Sequence, residues 1–185
     1  MPVRILSDPK VLATLPAGIA LFFLLGGWML ALAYILIWID KLPLRIFYIK
    51  TGLDAVLYIE FITISAIFIG LHYAPLTAFL FMFLVPLALN SIRQFMMPTD
   101  IGGGFIMPSF DNLIDGVLAA FMQLMKNMGL VTIMLIVQVI KHPLHIKFER
   151  TADPSKPPEI KVIFQTIFNF AIAIYLQDLS VFTST

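Results

Sequence analysis

From Val11 to Ile39 the chain runs through 29 positions without a charged side chain. At about 1.5 Å per residue a helix of that length exceeds the roughly 30 Å hydrocarbon core of a bilayer. The run therefore predicts a first membrane-crossing helix, tilted or beginning after Pro16. Tyr34 and Trp38 near its end suit an aromatic belt at the interface. It is too long for the apolar region of a signal peptide, and no small-residue cleavage pattern closes it. The expectation is a retained helix.

The rest of the chain agrees with a lipid solvent. Hydrophobic residues make up 60% and charged residues 12%, against about 45–50% and about 25% in soluble domains. No stretch is long and polar enough for a separate water-soluble unit, so residues 1–185 read as a single transmembrane helical domain. Lys and Arg number 12 and Asp and Glu 11, and this balance gives no footing for nucleic acid. Cysteine is absent, which removes disulfides and thiol chemistry.

The fold class expected is all-α, a polytopic membrane protein of about five transmembrane helices. After the first helix, Asp40 to Leu53 mixes Lys41, Arg45 and Lys50 with apolar residues and reads as an interfacial connector. Asp54 to Leu71 and Pro75 to Leu89 form the second and third segments, either as two full spans or as a re-entrant hairpin. Pro75 suits a first helical position, and Pro86 predicts a kink. Pro98, Gly102 to Gly104 and Pro108 mark a loop. Gly116 to Ile140 reads as the fourth helix, Lys141 to Lys161 as a basic connector, and Ile160 to Leu179 as the fifth. Counted on that topology, seven cations share the N-terminal side and four the other, so the positive-inside rule places the N-terminus on the cytoplasmic or matrix side of an inner or cytoplasmic-type membrane.

Glu60 is the most informative residue, because an ionisable group inside an apolar segment needs a partner, water or a function. Three readings compete: a carboxylate snorkelling to the interface or bonded to a neighbouring subunit, an ion pair with Lys126, and a site on an ion path. Gln123, Lys126 and Asn127 form a polar patch that suits packing better than a pore. Lys161, Gln165 and Asn169 recur every four residues, a helix face expected to meet a partner helix. Lys41, Arg45, Lys50, Lys141, Lys147 and Arg150 are the expected lipid headgroup contacts. His142 and His145 with Glu149 lack the spacing of a helical zinc motif, and the glycine triplet lacks the Lys-Ser or Lys-Thr of a phosphate loop. No nucleophile, base and acid stand in a catalytic pattern, so no enzyme, no metal and no cofactor beyond bound phospholipid is expected.

The function expected from sequence is a non-catalytic, membrane-embedded subunit of a larger assembly of the respiratory, secretion or virion-membrane kind. Its partners would be other membrane subunits and lipids. The alternative is a small homo-oligomeric transporter or channel with Glu60 and Lys126 on a polar path.

Overall fold

The computed structural model describes residues 9–51, 59–96, 110–152 and 159–178. The glycine triplet, Pro98, Pro108 and the prolines after Asp153 lie outside the described residues, as do the side chains of Lys50, Glu149 and Arg150. Every element among the described residues is helical. The α-helices are α1 (Pro9–Gly26), α2 (Trp28–Ile39), α3 (Arg45–Thr51), α4 (Ile62–His72), α5 (Pro75–Met96), α6 (Phe110–Phe121), α7 (Leu130–Ala152) and α8 (Glu159–Leu176).

The long uncharged run is not one helix. It reverses at Gly27, whose φ of 78° lies in the left-handed region open to a residue without Cβ. The Gly27 amide donates to the Phe23 carbonyl and closes α1. Beyond the turn, α2 folds back along α1. The Tyr34 hydroxyl donates to the Thr14 carbonyl at 2.7 Å, and the Trp38 indole donates to Thr14 Oγ1 at 2.9 Å. In a straight helix those positions would stand about 30 Å or more apart. The expected single span is thus a helical hairpin, and Tyr34 and Trp38 are buried in its seam rather than set in an aromatic belt.

A π-helical turn, Asp40–Leu44, joins α2 to α3 without a break. Pro43 inside it has no N–H to give to the ordinary i→i−4 ladder, a sufficient reason for the wider turn. The stretch expected to lie flat at the interface is instead packed inward, with Leu42, Ile46 and Tyr48 buried.

Helices α4 and α5 form a second hairpin about Tyr73 and Ala74, with Pro75 opening α5 as the sequence predicts. The α5 helix continues through Pro86 to Met96. The expected fourth helix is two: α6 ends at Phe121, a 3-10 turn covers Met122–Met125, and α7 begins at Leu130. The α7 helix then runs through Pro143 to Ala152 and absorbs most of the expected basic connector. Among the described residues two stretches are long and apolar enough to cross a membrane, Pro75–Phe95 in α5 and Leu130–Lys147 in α7. The α4 helix, at 11 residues, reaches only about 16 Å.

The hairpins stack so that their turns meet at one end. The Tyr73 hydroxyl donates to the Gly26 carbonyl at 2.5 Å, and the Gln123 amide donates to the Leu71 and Tyr73 carbonyls. An apolar core built from Ile37, Ile67, Ile69, Met82, Met122 and Met134 fills the middle. Charge collects at the opposite end. Of the ten Lys and Arg among the described residues, only Lys126 lies by the apolar turns. The sequence-derived division of cations between two sides therefore does not hold: Lys41, Arg45 and Arg93 sit at the same end as Lys141 and Lys161.

Candidate functional site

The centre of the charged end is Lys141. It stands eleven residues into α7, about 16 Å along the helix from the apolar turn, and its side chain is 5% exposed. An ion withdrawn from water is tolerable only where its charge and all its protons are met. Lys141 Nζ donates to Glu60 Oε1 at 2.5 Å and to Thr63 Oγ1 at 2.8 Å, and it pairs with Asp115 Oδ1 at 2.7 Å. Glu60 and Thr63 accept hydrogen bonds from the ammonium, and Asp115 adds a second carboxylate at ion-pair distance. Glu60 Oε2 accepts from the Gln165 amide at 2.8 Å. Four helices or helix entries thus meet at this point: Glu60 and Thr63 at the start of α4, Asp115 on α6, Lys141 on α7 and Gln165 on α8. Two carboxylates share one ammonium, so the cluster carries a net charge of −1 when both are ionised.

A second rung lies one helical turn away. His145, four residues after Lys141, bonds through Nδ1 to Asp111 Oδ1 at 2.9 Å, and Asp111 is four residues before Asp115. The sequence sums agree, 115 + 141 and 111 + 145, as two antiparallel helices in fixed register require. Lys161 Nζ lies 3.4 Å from His145 Nε2 and ties α8 to this rung. Asp40 is buried nearby, with Lys41 Nζ at 3.7 Å.

Above the Lys141 cluster opens a cavity of about 190 Å³. Its floor is Glu60, Asp115, Lys141 and Gln165. Lys41, Arg45, Arg93, Asp111 and Lys161 also line it, with Asn90, His142 and His145. Among the described residues no group of three or more His, Asp or Glu is placed to hold a metal.

The structure distributes the residues singled out from sequence unevenly. Glu60 is central, but Lys126 is exposed in the turn at the other end, and Lys141 takes the role of its cation. Gln165 and Asn169 face this chain's own bundle, at 3% and 0% exposure, rather than a partner helix, and Lys161 lines the cavity. Lys41 and Arg45 also line it, and Lys141 is too buried to meet a headgroup. Lys147 is exposed on α7. Asp111, Asp115, Thr63 and Arg93 join the site without having been singled out. The signal that could have found the two aspartates is the matched four-residue spacing of Asp111/Asp115 and Lys141/His145.

No family model, curated protein or solved structure matches this chain.

Proposed function

We propose that the chain is a multi-pass membrane protein of the transporter or channel class, in which the cavity is a half-channel that admits a small charged solute from one face and ends at Glu60, Asp115 and Lys141. The observation that carries this reading is the convergence of charged side chains from separate helices on one cavity above an apolar plug. A purely structural subunit has no need of buried ions, since replacing such a set by hydrophobic residues is often neutral or stabilising. Depth supports the same reading. With the apolar turns at one interface, the floor stands about 16 Å into a core of about 30 Å, near its middle. Transport sites lie at that depth because both faces can be reached from it. The gathering of basic residues at the cavity end supports an orientation with that end toward the cytoplasm or matrix.

The absence of cysteine makes the test direct. Single Asn90→Cys and Gln165→Cys variants in native membranes are expected to react with a membrane-impermeant thiol reagent from the cytoplasmic side only. Met134→Cys, in the plug, is expected to react from neither. Labelling of Asn90→Cys and Gln165→Cys from neither side, or from the outer side, removes the half-channel.

One observation favours a second reading, a subunit of a larger membrane assembly. The α8 helix packs on α7 and touches α4, and its outer face leaves Ile163, Ile167, Ile174 and Tyr175 exposed. Other chains in the gently extracted particle would support that reading. The two readings are compatible if the assembly moves the solute.

A further inference from the structure

We infer that the solute bound in the half-channel is the proton, taken up singly by the Glu60, Asp115 and Lys141 cluster in contact with water at Gln138, His142 and Asn169. The inference rests on the half-channel reading. Charge in direct contact sets the stoichiometry. Among the described residues Asp115 has one ion-pair partner, Lys141 at 2.7 Å, and Glu60 pairs with the same ammonium. Two carboxylates and one ammonium leave one negative charge unmatched, on side chains that are 8%, 2% and 5% exposed. A buried charge without a partner is costly, and the group that carries it neutralises instead. One proton brings the set to zero. It leaves a hydronium ion in the cavity, which becomes water, and binds an oxygen of Glu60 or Asp115, while Lys141 remains an ammonium throughout. A metal cation in its place would lie against that ammonium.

A second observation places water against the cluster. Asn169 on α8 is fully buried, and neither its amide nitrogen nor its carbonyl oxygen has a hydrogen-bond partner among the described residues. It lies four residues beyond Gln165, about 6 Å past the contact with Glu60. Gln138, three residues before Lys141 on α7, spends an amide N–H on the Met134 thioether and leaves its carbonyl unbonded. The contact between Thr166 Oγ1 and His142 Nε2 at 2.8 Å sets α7 against α8, and this register brings 138 and 169 to one level. The Thr166 hydroxyl donates to the Val162 carbonyl, so His142 donates through Nε2 and its buried Nδ1 is left an unbonded acceptor. His142 also lines the cavity. Buried polar groups of this kind are met by water, typically with about three hydrogen bonds to each molecule. A hydrated ion would have to displace the packed Glu60, Asp115 and Lys141 side chains to reach this layer. A proton reaches it by exchange between hydrogen-bonded oxygens.

The other charged or titratable groups around the cluster are Asp40 and Lys41 of the π-turn, Arg45 of α3, Arg93 of α5, Asp111 of α6, His145 of α7 and Lys161 of α8. Lysine and arginine hold one charge state across neutral pH. Uptake there is divided among carboxylates and the two histidines, and the readout must tell them apart.

Infrared difference spectra of the purified full chain, stepped between about pH 8 and about pH 6, make that distinction, because ordinary carboxylates stay ionised over this range. The parent is expected to gain one carboxylic-acid carbonyl band per chain, shifted in heavy water. Glu60→Gln and Asp115→Asn are each expected to lose the whole band, since either leaves one carboxylate matched by one ammonium. Lys126→Gln, at the other end, is expected to keep it. No band in the parent, or a band that survives in either carboxylate variant, overturns the assignment. Asn169→Leu tests the water without touching a charge. Removing a dry, unbonded amide raises the thermal midpoint, whereas removing one that holds water lowers it. A lowered midpoint is expected, and a raised one overturns the hydrated layer even if a charge variant fails to fold. Thiol labelling of Asn90→Cys reads access and not protonation, so an accessible cavity with no band overturns the proton and leaves the half-channel standing.

Discussion

Lys141 keeps its charge in the interior because Glu60, Asp115 and Thr63 meet it together, and the arrangement is unforgiving in one direction. Lys141→Met would leave two carboxylates, 8% and 2% exposed, with no cation between them. Removing one member of a buried ionic set typically costs about 3–5 kcal/mol, and a loss of that size is expected in denaturant unfolding of the purified protein. Adding Glu60→Gln to Lys141→Met should recover part of the loss, since it removes one of the stranded charges. A single variant as stable as the parent would show that the cluster is not the buried ionic set described above. The half of this set visible in the sequence was Glu60, because a carboxylate inside an apolar run stands out on one-dimensional inspection. Its partner was not visible. Lys141 lies 81 residues away, and Pro143 with the following charges made its surroundings look like a connector. A proline inside a helix is tolerated where tertiary packing outweighs the lost backbone bond, and nothing local in the sequence reports that packing.

At the scale of elements, the hairpins depend on close approach between backbones. Gly70 on α4 faces Ala119 and Met122 so tightly that an added Cβ would lie 2.3 Å from the Ala119 carbonyl oxygen. Backbone cannot rotate out of the way as a side chain can. Gly70→Ala is therefore expected to destabilise by about 1–3 kcal/mol, the usual range for overpacking. At Gly116 the new methyl would meet Phe79 at 3.2–3.3 Å, a contact relieved by a few tenths of an ångström, so Gly116→Ala should cost clearly less. Thermal midpoints of the two variants side by side check the order, and equal midpoints would mean that α4 and α6 do not pack as closely as described. Helix as the secondary structure was legible, and every element among the described residues is helical. Helix ends were less legible. Gly116 to Ile140 reads as one periodic segment, yet it breaks at the polar patch of Gln123, Lys126 and Asn127. That patch is the turn itself, with Gln123 holding the neighbouring turn.

Over the described residues, every Lys and Arg but Lys126 gathers at one end, and the apolar turns lie at the other. A strongly apolar, helical class was readable from composition because it sums over all residues and needs no knowledge of contacts. The sorting was not readable, because it depends on how many times the chain reverses. Assigning Val11 to Ile39 as one crossing put Lys41 and Arg45 opposite Lys141. The reversal at Gly27 puts them on the same side and leaves Lys126 as the only Lys or Arg at the other end among the described residues.

That single left-handed residue thus sets the parity of everything downstream. Under the proposed membrane reading, a run of 29 uncharged residues can leave the insertion machinery as one straight crossing or as a returning loop, and the two products place the rest of the chain on opposite faces. Gly27→Leu penalises the loop by roughly 1–2 kcal/mol and leaves the straight crossing untouched. Reporters fused after Thr51 should report one orientation for the parent and a mixture for the variant. One orientation in both would mean that the downstream cations fix the topology alone, and that the glycine only shapes the turn.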